Sequence, residues 1–127
     1  MKDDSELDPV LYEVARRKGT EAPFTGKYWN SHKASTYVCA VCGTPLFSST
    51  AKFDSNTGWP SFSEPANPEH IELKEDRGLG LLRTEVACKK CGAHLGHVFD
   101  DGPAAKGDRR YCINSVCLDL KPNNPDH

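Results

Sequence analysis

Apolar residues along the chain come in short runs, and their spacing predicts one helix followed by strands. Val10, Leu11 and Val14 fall at helical spacing within residues 8–19, which read as a single amphipathic helix with these three as its buried stripe. Asp8 suits the N-cap, Pro9 the first turn, and Arg16, Arg17 and Lys18 the last turn before Gly19. Beyond the helix the period shortens to two. Residues 37–42 read as a strand, residues 69–74 alternate with Ile71 and Leu73 on one side, and residues 80–87 and 110–120 read as two more. Ten glycines and nine prolines punctuate these runs. The expected architecture is mainly β and mostly antiparallel, with short helices at its start. It forms a single domain over residues 1–127, with a core of about 8–120 and a loose tail at 121–127.

Composition narrows the class. A chain of 127 residues with 37% hydrophobic residues has room for one modest core. Sixteen basic residues against 18 acidic ones give a net charge of -2, which argues against nucleic acid or an anionic membrane as partner. No apolar run approaches the roughly 20 residues of a membrane span. The polar, acidic start of the chain does not read as a signal peptide, so a cytoplasmic location is expected, and a monomer.

Six cysteines change the picture. Their even number is compatible with a disulfide framework, but their spacing is not scattered. Cys39-x-x-Cys42 and Cys88-x-x-Cys91 are each followed by a glycine, Gly43 and Gly92, of the kind a tight metal knuckle favours. Two such turns make a closed four-sulfur site, read as one structural Zn2+ per chain held in a zinc-ribbon-like cluster of four cysteines. A thioredoxin-like pair would open a helix in a βαβ setting, and neither pair does. His70-Ile71-Glu72 before Cys88 resembles a deaminase zinc signature, but Ala87 stands where that signature needs proline, and Cys39 and Cys42 are left without a role. His70 and Glu72 read as a solvated strand face.

Three further groups carry chemistry. In a strand, Arg110, Cys112 and Asn114 share one face, placing a thiol between a guanidinium that favours the thiolate and an amide that can hold a polar group. A buried structural cysteine is the alternative. His94 and His97 are candidate proton donors near neutral pH, or else one orients backbone and the other lies on the surface. Asp100 or Asp101 is placed to buttress a histidine. Trp59, between Gly58 and Pro60 on a rigid loop, is either a pocket wall or a core residue.

Together these residues resemble the methionine sulfoxide reductase B family, over roughly residues 11–120. The resemblance is carried by residues 21–26, both knuckles, Gly58-Trp59-Pro60-Ser61-Phe62, His94-Leu95-Gly96-His97-Val98-Phe99, Asp101-Gly102-Pro103 and Arg110-Tyr111-Cys112-Ile113-Asn114-Ser115. It implies two antiparallel sheets with small flanking helices, and reduction of the R epimer of methionine sulfoxide within proteins. It also implies residue roles. Cys112 is the nucleophile, His97 the acid, and His94 and Asn114 polarise and hold the sulfoxide oxygen. Trp59 and Phe99 cradle the methyl group, and Arg110 and Asp101 support the charge balance. Attack leaves Cys112 as a sulfenic acid, to be reduced by thioredoxin or another external thiol.

The chain departs from that pattern where many relatives carry a resolving cysteine before Gly-Trp-Pro; here the residue is Thr57. Cys117 is the one remaining thiol. Five residues of strand span about 16 Å and put Cys112 and Cys117 on opposite faces, whereas a disulfide needs Cα atoms within roughly 7 Å. Pairing them requires a bend, so direct external reduction is favoured. The sequence also leaves two rivals: a non-enzymatic zinc-ribbon binding module, and a thiol oxidoreductase pairing Cys112 with Cys117. Met1 is the sole methionine, so a repair enzyme for oxidised methionine would have no internal one to lose.

Overall fold

A computed structural model describes residues 4–17, 19–22, 24, 26, 28, 34–53, 57–76, 83–100 and 109–122. After a 3-10 turn at Asp4–Glu6, helix α1 (Pro9–Ala15) begins as expected. The Asp8 carboxylate accepts the Val10 N–H at 3.0 Å. The helix stops at Ala15 rather than at Gly19, whose N–H turns back to the Glu13 carbonyl at 2.9 Å. Its buried stripe is Leu11, Val14 and Ala15, joined by Leu7. Val10, expected in that stripe, is 57% exposed because it lies about 100° round the helix from Leu11.

The strands, numbered in chain order, form two antiparallel sheets. The smaller has the order β2-β1-β9, from β1 (Ser35–Cys39), β2 (Pro45–Ser48) and β9 (Leu118–Pro122). The larger contains β3 (Lys52–Phe53), β4 (Ser61–Phe62), β5 (Ile71–Asp76), β6 (Arg83–Cys88), β7 (His94–Phe99) and β8 (Arg110–Ile113), in the order β3-β4-β8-β7-β6-β5. The run 37–42 is strand only to Cys39, after which the chain turns into the first knuckle. In β5, Ile71 is buried but Leu73 is 44% exposed, since β5 is an edge strand.

Residues 110–120, expected as one strand, are two. After Ile113 the ladder ends at Asn114, whose N–H and Nδ2 both donate to the Leu95 carbonyl at 2.9 Å. A 3-10 turn at Ser115–Cys117 then carries the chain into the other sheet as β9. β9 continues through Lys121 and Pro122, paired with Thr36 and Ser35, two residues into the expected tail. Residues 123–127 lie outside the described ones.

An aromatic seam joins the sheets. Tyr37 and Phe47 from the smaller sheet meet Phe62 and Tyr111 from the larger, with the Phe47 and Phe62 rings stacked at 4.5 Å and Tyr37 edge-on to Phe62 at 5.2 Å. Tyr37, Phe47 and Phe62 are fully buried, each contributing about 1.5–3 kcal/mol of apolar burial. Val86, Tyr111 and Ile113 fill the core face of the larger sheet, which leaves its opposite face for polar side chains.

Candidate active site and metal centre

Period-two alternation in β8 separates Tyr111 and Ile113, which are buried in the core, from Arg110 and Cys112, which are half-buried on the other face. Cys112 pairs with Ser61 on β4 and with His97 on β7, and Phe99 pairs with Arg110. Cross-strand partners project to the same side, so thiol, imidazole, guanidinium and phenyl ring meet. They line a cavity of about 200 Å³ together with Trp59, Asn114, Thr20, Thr57 and Arg83. Six residues singled out from the sequence therefore share one pocket: Trp59, His97, Phe99, Arg110, Cys112 and Asn114. Asp101 lies outside the described residues.

His94 is three residues from His97, a spacing that puts side chains on opposite faces of a regular strand. A bulge corrects this: Val86 pairs with Gly96 and Ala87 with His94, so Leu95 is the extra residue. His94 and His97 then face the same side, their rings edge-on with centroids 5.4 Å apart. His94 is 2% exposed and lies beneath the pocket rather than on its wall. Gly96 is required at the bulge, because a Cβ there would overlap the Cys112 carbonyl oxygen.

Each histidine has a carboxylate partner that the sequence did not reveal. Asp76 Oδ2 lies 2.8 Å from His97 Nε2 and 3.6 Å from an Arg83 guanidinium nitrogen. Glu85 Oε2 lies 2.9 Å from His94 Nδ1, both residues being buried. The sequence pointed to Asp100 or Asp101 for this part, and Asp100 is exposed. Asp76 and Glu85 come from β5 and β6, so only strand register brings them in. A glutamate between Thr84 and Val86 in an apolar run was the available signal for Glu85.

Burial pushes the Cys112 thiol up, and this outweighs the opposing pull of Arg110 and of a hydrogen bond from Thr57. Arg110 therefore acts on the thiol in the expected direction but does not decide the net shift. Its guanidinium also stacks over Phe99, 4.5 Å from the ring centroid. Asn114, expected to hold a substrate group, uses much of its amide on the protein: Oδ1 accepts from the Glu21 N–H at 3.0 Å, and Nδ2 donates to Leu95. Glu21 in turn fixes Trp59, whose indole N–H donates to the Glu21 carbonyl at 3.0 Å, and its carboxylate accepts the Val116 N–H at 3.0 Å. Thr20 and Arg83 had no sequence signal tying them to Cys112; Glu21 entered only as part of the run 21–26, and Thr57 only as the residue in the resolving-cysteine slot.

Cys117 does not line this pocket. It is buried in the core, where its thiol donates to the His94 carbonyl at 3.3 Å, and burial pushes its pKa far up. The bend between β8 and β9 exists, but Cys117 faces the core and Cys112 the pocket.

The other four cysteines converge at the ends of two strands in different sheets. In both knuckles the first cysteine N–H bonds to the carbonyl five residues on, Thr44 or Ala93. The glycine N–H returns to that cysteine, Cys39 or Cys88. Gly43 and Gly92 sit at φ 80° and 77°, with no crowding near a Cβ, so backbone conformation and not space selects glycine there. The thiol sulfurs are 3.7 Å apart for Cys39 and Cys91 and 3.6 Å for Cys42 and Cys88. Four sulfurs at about 2.3 Å from a tetrahedral ion lie about 3.8 Å from one another, so the cluster fits one metal ion. None of the six cysteines is in a disulfide. The Arg16 side chain donates to the Cys91 carbonyl at 2.8 Å, fastening α1 to the second knuckle.

Fold and site define a mainly β protein with a pocket on one sheet that gathers a thiol, an imidazole and a guanidinium, and a separate cluster of four thiols between the sheets that could hold a metal ion. Residues 7–122 match the SelR domain family. The chain is 56% identical over 117 residues to the peptide methionine sulfoxide reductase MsrB of Bradyrhizobium diazoefficiens, spanning 92% of this chain and 84% of that protein. Its identity to the proteins of the same name is 55% in Acinetobacter baylyi (91% of this chain, 83% of that protein) and 56% in Pseudomonas putida strain W619 (93% and 88%). The chain belongs to the methionine sulfoxide reductase B family, as the resemblance in its motifs implied.

Proposed function

We propose that the protein reduces methionine-R-sulfoxide in oxidised proteins to methionine, with Cys112 as nucleophile. The observation that carries this reading is the cross-strand pairing of Cys112 with His97 on the floor of a pocket walled by Trp59. A sulfoxide oxygen leaves only when protonated, so the thiol needs an acid beside it. With Nε2 directed at Asp76, the imidazolium form of His97 has its Nδ1 proton to give. Cys112 sulfur attacks the sulfoxide sulfur, and its own proton passes through His97 to the oxygen. The hydroxyl then passes from the substrate sulfur to the Cys112 sulfur, breaking both the original S–O bond and the newly formed S–S bond, so that methionine leaves as the thioether and Cys112 is left as a sulfenic acid.

Trp59 and Phe99 supply the apolar wall for the methyl group. The second Nδ2 proton of Asn114 is proposed to hold the oxygen, with His94 beneath the pocket supporting it through the His97 ring, and Arg110 to balance the thiolate. Asp101 is proposed to support the same charge balance. Two equivalents of an external thiol, thioredoxin in a cytoplasmic setting, then return Cys112 to the thiol with release of water and a disulfide. Cys117 remains the internal candidate for that step, and its burial supports external reduction. Zn2+ is the metal proposed for Cys39, Cys42, Cys88 and Cys91. When bound it would supply a structural tie, with four thiolates completing its tetrahedral shell. The protein is proposed to act as a monomer. No helix among the described residues is long and apolar enough to cross a membrane.

The test is reduction of separated R and S sulfoxides with dithiothreitol, by the unmodified protein and by Cys112→Ser. Turnover of the R epimer alone is expected, abolished in the variant with metal content and fold retained. Retained activity in Cys112→Ser would overturn the assignment.

A further inference from the structure

The catalytic cavity of about 200 Å³ has room for a methionine side chain but not for the polypeptide on either side of it. That polypeptide has to cross the rim. Thr20 is an exposed rim residue that also lines a larger groove of about 580 Å³ beside α1, so the two cavities meet there. The groove carries Val10 and Tyr12, exposed by 57% and 38%. Among the described residues four large apolar side chains are exposed, and three of them (Val10, Tyr12 and Phe24) lie on this N-terminal segment. They stand on one side of Cys112 in the chain, and the fold ties their segment to its pocket.

The segment is fixed relative to the thiol by three bonds. Glu21 N–H donates to Asn114, the Trp59 indole N–H donates to the Glu21 carbonyl, and the Phe24 N–H donates to the Gly58 carbonyl at 2.8 Å. The rim is thus built in advance, and a substrate does not have to order it.

We propose that the polypeptide adjoining the oxidised methionine passes over Thr20 into the α1 groove, and that Val10 and Tyr12 bind its apolar side chains. This deepens the proposed function and rests on it. The partner is an extended, apolar stretch of an oxidised protein.

The experiment compares kcat/KM for two R-sulfoxide substrates. One is a decapeptide with a central methionine sulfoxide and apolar flanks. The other is N-acetyl-methionine sulfoxide methylamide, too short to reach Val10 or Tyr12. Val10→Ser and Tyr12→Ser remove exposed side chains and leave the core untouched. Each is expected to lower kcat/KM for the decapeptide about fivefold to tenfold, through KM, in line with loss of roughly one apolar contact. Turnover of the short substrate stays unchanged, and Tyr12→Phe restores the decapeptide rate. Unchanged kcat/KM for both substrates, or an equal loss on both, overturns the groove as a binding site while leaving the reductase reading intact. Failure of the unmodified protein to reduce either substrate overturns that reading and the groove with it.

Discussion

Cys112 sits between two opposing influences, burial that raises its pKa and Arg110 with Thr57 that lower it, and burial wins. Cys112 therefore favours, through burial, the neutral thiol over the thiolate. Its alkylation rate by iodoacetamide is expected to climb with pH through a midpoint above the ordinary cysteine value of about 8.5. Removing the cation in Arg110→Met should move the midpoint higher still. A midpoint at or below the ordinary value would show that the charge outweighs the burial. In the proposed mechanism a proton held on Cys112 at rest is also the one that His97 hands to the sulfoxide oxygen. His97 in turn depends on Asp76 for its orientation. Asp76→Asn is expected to lower kcat by about tenfold or more while leaving the Cys112 alkylation profile in place, because under the proposed mechanism it disturbs the acid and not the nucleophile. Single-turnover kinetics separates the two.

At the scale of elements, the active face depends on how β7 lies against its neighbours. The bulge at Leu95 brings His94 and His97 to one side, and Gly96 lets the β8 backbone come close. Gly96→Ala has to push β8 away, and is expected to destabilise the protein by about 1–3 kcal/mol in denaturant titration and to reduce activity further than stability alone explains. The bend after Asn114 has a separate consequence. It turns Cys117 into the core with its thiol on the His94 carbonyl. Cys117→Ser is expected to keep thioredoxin-supported turnover, with mass spectrometry after one turnover finding the added oxygen on Cys112. Loss of turnover in that variant would make Cys117 an essential resolving thiol. Alternation in β8 was legible in the sequence because its two faces differ in polarity. The bulge was not, because nothing in His94-Leu95-Gly96-His97 fixes which residue goes unpaired until β6 is beside it. The break at Asn114 was hidden for the same reason, since the carbonyl that ends the ladder belongs to Leu95.

For the molecule as a whole, the four-cysteine cluster is a joint between sheets. Cys39 closes β1 in the smaller sheet and Cys88 closes β6 in the larger, so the four thiols span the two layers that the aromatic seam packs together. Stripping the metal with a chelator at elevated temperature, or replacing Cys42 by serine, is expected to lower Tm by more than about 10 °C, because binding free energy in such sites is folding free energy. Metal analysis beside the melting curve checks that the loss of ion and the loss of stability coincide. By itself the sequence determined the helix start, the β character, the metal knuckles and most of the pocket: Cys112, His97, Trp59, Arg110, Phe99 and Asn114. These rest on local rules, such as capping, period-two alternation and the Cys-x-x-Cys-Gly turn, that act within a few residues of chain. Only the tertiary structure decided that Asp76 and Glu85 serve the histidines, that Glu21 holds Trp59 and that Cys117 faces the core. Each of those is a contact between segments far apart in the chain. It is set by strand order and register, which depend on packing the whole sheet.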